Sequence, residues 1–269
     1  MSKLLNHPAA LCNMVRRIAL EAGEIILRYY DEVDSGQLSD KADGSPVTLA
    51  DQDAEAHIQK KLAEMTLDVP FIGEETVANS DIVDFSAPDY FWCVDPLDGT
   101  KEFINGGDDF TVNIALIHNG IPVLGVIYIP VTGVLYAGYE DTALRWSEDT
   151  GKDKSISVRP PPARGLIVSA SKSHGNADKR DQFLNDFKID KIIKRGSSLK
   201  ICSIAEGKAD LYPRFGPTCW WDTAAGHAIL FAAGGDITDM QGVPLRYNSC
   251  HDGKFLNPDF VASGFDWVV

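Results

Sequence analysis

Asp95-Pro96-Leu97-Asp98-Gly99-Thr100 sets two carboxylates three residues apart, directly after the apolar run Phe91-Trp92-Cys93-Val94. A buried strand over that run delivers both acids at its end. Pro96 fixes its own φ and has no N–H for a ladder, which predicts that a central strand stops there and the chain turns. The turn brings Asp95, the Leu97 carbonyl and Asp98 towards one point, an all-oxygen set suited to a hard divalent cation. Gly99 lets a phosphate approach the backbone, and the Gly99 and Thr100 amides open a helical turn whose unpaired N–H groups favour anions. Taken alone, an Asp-Pro or Asp-Gly dipeptide describes an ordinary β-turn with solvated aspartates.

Other acids keep it company. Gly73-Glu74-Glu75 follows a short apolar run, Thr48-Leu49-Ala50-Asp51 opens one helical pattern and Trp221-Asp222 opens another. All stand at element ends, where sites are built. Of Glu74 and Glu75 at most one is expected to be a ligand, the other surface charge.

The elements that must position these groups follow from apolar spacing. Leu11, Val15, Ile18, Ala22, Ile25 and Tyr29 recur at intervals of three and four, predicting an amphipathic helix. A second helix is expected from Thr48, with Thr48 and Asp51 spaced like a capping pair, Asp51 in its first turn, and Ala54, Ile58 and Leu62 along one face. Short β-type runs at 70–72, 91–94, 112–117, 123–129 and 134–139, parted by Gly, Pro and Asn, predict a largely antiparallel meander. Residues 151–164 are rich in Lys, Ser and Pro, and mark a boundary between two lobes, 1–155 and 156–269, of one globular unit. Beyond it, strand-like 166–169, helical 177–187, strand-like 192–194, helical 199–206 and strand-like 209–212 read as α/β. A last helix from Asp222 to Ala233 keeps Ala225, Ala228, Ile229 and Ala232 on one side and stops at Gly234-Gly235.

The totals narrow the function classes. With 269 residues, 44% hydrophobic and 24% charged, the chain has ordinary globular composition. A net charge of −14 repels nucleic acid polymers and acidic membrane surfaces, so any phosphorylated ligand needs metal ions or a local basic patch to reverse the sign. The five cysteines form no CxxC pair, and their odd number fits a reducing cytoplasm; the expected location is cytoplasmic, with a peripheral place at the inner face of the membrane as the alternative. No signal peptide or membrane-spanning stretch is visible, so stable membrane insertion is not expected.

Gly73-Glu74-Glu75, Asp95-Pro96-Leu97-Asp98-Gly99-Thr100 and the distant Trp221-Asp222 together resemble the signature of the lithium-sensitive, magnesium-dependent inositol monophosphatase superfamily. The resemblance implies an α/β (α+β) fold, a layered αβαβα sandwich of the sugar phosphatase type, with two or three Mg²⁺ per site. It implies that Glu74, Asp95 and the Leu97 carbonyl hold one ion and that Asp95, Asp98 and Asp222 hold a second. Asp51, in the helix opening Ser45-Pro46-Val47-Thr48, would pair with Thr100 to position and deprotonate the attacking water. Five carboxylates in one pocket raise one another's pKa unless cations compensate. Two divalent ions would activate water and neutralise the leaving alkoxide without a covalent enzyme intermediate.

Within the superfamily, the chain is similar to the bacterial 3'(2'),5'-bisphosphate nucleotidases. The similarity is carried by Lys101-Glu102-Phe103-Ile104, by residues 110–117, by Gly196-Ser197-Ser198-Leu199-Lys200, by residues 205–218, by Trp221 to His227 and by Phe255-Leu256-Asn257-Pro258. It implies that His174, Ser197, Lys200 and Arg214 contact a nucleotide, beside Glu74, Leu97, Asp98, Gly99, Thr100 and Asp222 around the ester. Lys200 and Arg214 suit a second phosphate that is held and not cleaved. The implied substrate is adenosine 3',5'-bisphosphate, with the sulfated analogue beside it, and the implied assembly a monomer or homodimer. Alternatives from the same superfamily are phosphatases of inositol monophosphate, fructose bisphosphate or histidinol phosphate; a non-catalytic phospholigand sensor is a further one. The loop Asn105-Gly106-Gly107-Asp108-Asp109 departs from the usual basic residue and Gly-Glu pair, and Trp220 stands where packing and base stacking are both open.

Overall fold

In the computed structural model, which describes residues 3–34, 46–79, 88–171, 176–250 and 254–267, the apolar runs pair into two sheets. The first holds β1 (Phe71–Gly73), β2 (Tyr90–Asp98), β3 (Thr111–His118), β4 (Ile121–Ile129), β5 (Val134–Tyr139), β6 (Thr142–Ser147) and β7 (Lys152–Ser155) side by side in chain order. Only β1 lies parallel to its neighbour; the other pairings are antiparallel. The second holds β8 (Leu166–Ser171), β9 (Ile189–Arg195), β10 (Leu211–Arg214), β11 (Asp236–Asp239) and β12 (Phe260–Ser263) in the order β11-β12-β10-β8-β9.

Seven α-helices occur among the described residues: α1 (Pro8–Asp34), α2 (Pro46–Met65), α3 (Glu74–Ala78), α4 (Thr100–Ile104), α5 (Ala177–Leu184), α6 (Leu199–Ala205) and α7 (Trp220–Ala232). Strand alternation sorts them into layers. On β3, Val112, Ile114 and Leu116 join the core under α1 and α2, while Ala115 and Ile117 face the core that contains α6 and α7. That central core also takes Ile167, Tyr212, Ile237 and Ala262 from the second sheet. Leu166, Val168 and Leu211 point the other way, to Leu184 and Phe183 of α5. The result is α1/α2, sheet, α6/α7, sheet, α5: the layered αβαβα arrangement expected from the sequence.

Two local features aim the site. The first is a β-bulge in β2. Asp95 pairs with Asn113 and Asp98 with Thr111, so Pro96 and Leu97 together oppose Val112 alone. Residues three apart on a regular strand face opposite sides. One extra residue restores the parity, sending Leu97 into the α1/α2 core and leaving both aspartates on the α7 side. The strand therefore does not stop at Pro96, as its missing N–H suggested; the bulge gives the proline a position outside the ladder.

The second is a row of small residues across the sheet: Cys93, Ala115, Gly125, Gly138 and Ala143 are successive cross-strand partners. α7 lies in this furrow. A Cβ on Gly125 would stand 2.2 Å from the Ala225 carbonyl oxygen, and one on Gly138 would stand 2.5 Å from Ile229 Cα. Three helical residues rise about 4.5 Å, close to the roughly 4.8 Å between strands. Moving back from Ala225 over β4 thus carries Asp222 towards β3 and the end of β2.

Other expectations shift. α2 starts at Pro46, a favoured first helical position, so Thr48 lies inside the helix instead of capping it, and Asp51 sits in the second turn. On α1 the buried face turns to Ile26, leaving Ile25 half-buried. The 151–164 stretch is not all linker, since β7 completes the first sheet there, and β6, β11 and β12 had no counterpart in the sequence reading. All five cysteines are free. Among the described residues no helix is long and apolar enough to cross a membrane.

Candidate active site

Asp95, Asp98 and Asp222 each offer a carboxylate oxygen, and these atoms lie within 4.8 Å of one another. At that spacing two unit charges repel by about 3–4 kcal/mol at an effective dielectric constant of about 20. Burial adds to the cost: Asp95 is 1% exposed, and its pKa stands well above the usual carboxylate range through desolvation, then through Glu74, Asp98 and Asp222. Asp222 is pushed up to about 7 by burial and by Asp98, against the lowering effect of the Cys219 N–H.

Each acid is aimed by hydrogen bonds. Asp95 Oδ1 accepts from the Leu97 N–H at 3.0 Å across the bulge. Asp222 Oδ2 accepts from Cys219 N–H at 2.7 Å and so caps its own helix. Asn257 Nδ2 braces that start by donating to the Cys219 carbonyl at 2.6 Å and to Thr223 Oγ1 at 3.0 Å. Asp98 Oδ2 receives Ser197 Oγ at 2.6 Å, Ser198 N–H at 2.7 Å and Asn113 Nδ2 at 3.4 Å. All three meet one oxygen, which leaves Oδ1 for another partner.

Two further acids border the cluster. Glu74, first residue of α3, is raised to about 7 by burial and by Asp98 and Glu75, with a hydrogen bond to Asp95 opposing the shift. Asp51 on α2 is raised to about 8 by burial, then by Glu74, Glu75 and Glu55. Glu55 is spent on structure: its carboxylate accepts the Glu75 N–H at 2.9 Å, the Thr76 N–H at 2.6 Å and the Thr76 hydroxyl at 2.5 Å, fixing the first turn of α3.

Beside the acids lies a cavity of about 350 Å³ lined by Asp98, Gly99, Thr100, Ser197, Lys200, Tyr212, Arg214 and Asp222. Gly99, at φ 102°, takes a left-handed conformation that L side chains rarely adopt. A Cβ there would stand 2.9 Å from the Asp109 carbonyl oxygen. Thr100 opens α4 directly after it. The structure gives Asp51 and Thr100 no hydrogen bond to each other.

Two bases, Lys200 and Arg214, line the same cavity. Lys200 is only 7% exposed; its ammonium donates to the Ser197 carbonyl and lies 5.5 Å from the centre of the Tyr212 ring. Burial lowers its pKa to about 8 against the pull of Asp98. Arg214, at the end of β10, donates through Nη2 to the Pro217 carbonyl at 3.1 Å. Acids and bases thus share one cavity without a direct ion pair between Lys200 and an aspartate among the described residues.

Of the residues marked in the sequence, His174 lies outside the described residues. Leu97 buries its side chain away from the site, so only its main chain can take part. Trp220 is packing: it is 1% exposed, against Phe91, Tyr247 and Phe255. Sequence reasoning missed the roles of Thr111, Asn113, Ser198 and Asp109. The first two carried a signal, polar side chains at alternate positions of an otherwise apolar strand, both on the site-facing side.

Residues 9–257 match the Inositol monophosphatase family. The chain is 45% identical over 253 residues to the 3'(2'),5'-bisphosphate nucleotidase CysQ of Escherichia coli K12, covering 94% of this chain and 99% of that relative. It is 42% identical to the protein of that name from Buchnera aphidicola, covering 94% and 93%. The crystal structure of CysQ from Bacteroides thetaiotaomicron, a bacterial member of the inositol monophosphatase family, superimposes with a TM-score of 0.82 at 38% identity, covering 95% of this chain and 98% of that one.

Proposed function

The chain belongs to the inositol monophosphatase family, and from that premise we propose that it is a 3'(2'),5'-bisphosphate nucleotidase. It adds water across the 3'-phosphoester of adenosine 3',5'-bisphosphate and releases AMP and inorganic phosphate; the sulfated analogue is a second substrate. The observation that carries this reading is one cavity lined by acids and bases together, Asp98 and Asp222 of the carboxylate cluster with Lys200 and Arg214.

The donor set fits Mg²⁺, since three carboxylates gather within 4.8 Å and burial makes their shared charge costly without a cation. Asp95, Asp98 and Asp222 would hold one ion, and Glu74, Asp95 and the Leu97 carbonyl another. Bound Mg²⁺ supplies acidification of the attacking water and neutralisation of the departing oxygen. Asp51, at the edge of the cluster, accepts the proton of that water while the Thr100 hydroxyl orients it. Gly99, turned against Asp109 in its left-handed conformation, brings the first turn of α4 to the cavity. In the same cavity the Lys200 ammonium and the Arg214 guanidinium grip the 5'-phosphate, with Ser197 and His174 completing the nucleotide contacts. The reaction clears a by-product of sulfate assimilation, and we place it in the cytoplasm, where thiols stay reduced.

A substrate panel with purified protein, Mg²⁺ and a phosphate-release assay tests this. Adenosine 3',5'-bisphosphate should exceed inositol 1-phosphate and fructose 1,6-bisphosphate by at least about a hundredfold in kcat/KM, and lithium should depress its turnover. Faster turnover of inositol 1-phosphate would overturn the substrate assignment.

A further inference from the structure

We propose that Asp109 is a positioning residue for the metal site: its buried carboxylate holds the 196–198 turn of the second sheet against Asp98. The inference deepens the reading above and rests on Asp98 as a metal ligand.

Asp109 lies two residues before β3 and is 4% exposed. Its Oδ2 accepts the buried Gly196 N–H at 3.0 Å, and its Oδ1 lies 3.6 Å from Arg195 Nη2. The fit around it is close on both sides. A Cβ on Gly196 would stand 2.8 Å from the Asp109 carbonyl oxygen and 2.9 Å from Asp109 Cβ, while the same carbonyl oxygen faces Gly99. One acidic residue is therefore wedged between the turn that follows Asp98 and the turn that binds Asp98.

The second turn needs holding. Ser197 has φ +49°, a left-handed conformation that is disfavoured for a residue with a Cβ and persists where its surroundings over-determine it. That conformation lets Ser197 Oγ and Ser198 N–H converge on the same Asp98 oxygen. Ser197 Oγ is further tied to Thr111 Oγ1 at 2.6 Å, and Ser198 Oγ donates to Asn113 Oδ1 at 3.0 Å. Those ties come from β3; the tie immediately before the strained residue is Asp109 to Gly196. Without an acceptor the Gly196 N–H is left unmet in a buried site. The turn then relaxes, and Asp98 loses two donors that decide which oxygen it presents. Groups that orient a metal ligand typically change metal affinity by about 10–100-fold when removed.

The test is a calorimetric titration of Mg²⁺ into substrate-free protein, with folding checked by circular dichroism and thermal melting. Asp109→Ala should weaken Mg²⁺ binding by about tenfold or more. Asp109→Asn, whose amide oxygen can still accept from Gly196 N–H, should stay within about threefold of the parent. Asp109→Ser, too short to span to Gly196, replaces the alanine variant should that one fail to fold. A folded Ala or Ser variant that binds Mg²⁺ like the parent overturns the proposal, as does an Asn variant as weak as Ala. Asp98→Asn separates the two levels. If it weakens Mg²⁺ binding while Asp109→Ala does not, the positioning role is wrong and the ligand assignment stands. If neither variant weakens it, the ligand assignment falls and the proposal with it.

Discussion

The acids and the bases of the site differ in origin as well as in charge. Asp95 and Asp98 come from one bulged strand of the first sheet and Asp222 from the helix lying in its furrow. Lys200 comes from α6 and Arg214 from the second sheet. Burial works against both: it lifts Asp222 to about 7 and drops Lys200 to about 8. A fold built for stability alone would pair such a buried cation directly with a carboxylate. Lys200 makes no direct ion pair with an aspartate among the described residues, and in the proposed reading the cavity receives cations for its acids and an anion for its bases. A phosphate ester carrying a second phosphate meets both requirements in one molecule.

Variants of the acids and of the bases should separate the two roles. The largest effect is expected from Asp98→Asn. With one carboxylate of the cluster neutralised, kcat at fixed Mg²⁺ should fall by about two to three orders of magnitude, while AMP binding through Lys200 and Arg214, followed by calorimetry, falls much less. Lys200→Ala comes next. It should raise KM for the bisphosphate by about tenfold, the worth of a charge-assisted hydrogen bond, and leave KM for adenosine 3'-monophosphate nearly unchanged. An equal loss on both substrates would move Lys200 out of the second-phosphate role.

A smaller and more diffuse effect is expected on stability without metal. Asp222, Glu74 and Asp51 have folded-state pKa values raised to about 7, 7 and 8, above their ordinary values near 4. A raised carboxylate pKa means the folded state binds the proton more tightly than the unfolded chain. Its contribution to stability is present below about pH 4 and is lost as pH climbs through 7 and 8. From these groups, Tm of the metal-free protein should therefore fall by several degrees between pH 5 and pH 8.5, at roughly 2–4 °C per kcal/mol, and Mg²⁺ should recover it at the upper end. A Tm that is flat or rising over that interval with the metal removed would show that the acids are not mutually strained.

The same contrast explains what the sequence could disclose. The acids of the cluster were legible because their chemistry fixes residue type, and their place at element ends is a local pattern. The first five strands were legible from alternation and from the apolar stretches, and the layering from the family resemblance. Long-range ties were not. Asp109 and Gly196 stand 87 residues apart, and nothing near either marks the other as its partner. Pro96 misled because a bulge is defined by the opposing strand, here by Val112 alone facing two residues. β11, Asp-Ile-Thr-Asp, is too short and too polar to stand out, and β7 is exposed along its whole length. Their pairing is dictated by neighbours rather than by their own composition. The small residues Ala115, Gly125 and Gly138 belong to different strands and become a furrow only once the register is set.

What most needs testing is that the buried carboxylates Asp95, Asp222 and Glu74 retain protons until a cation arrives. Calorimetric titration of Mg²⁺ at pH 7, repeated in buffers of different ionisation enthalpy, counts protons released on binding. Release of about one proton or more per protein is expected at pH 7, declining as pH rises through 8. Mg²⁺ uptake with no proton release at pH 7, or no uptake at all, would contradict it.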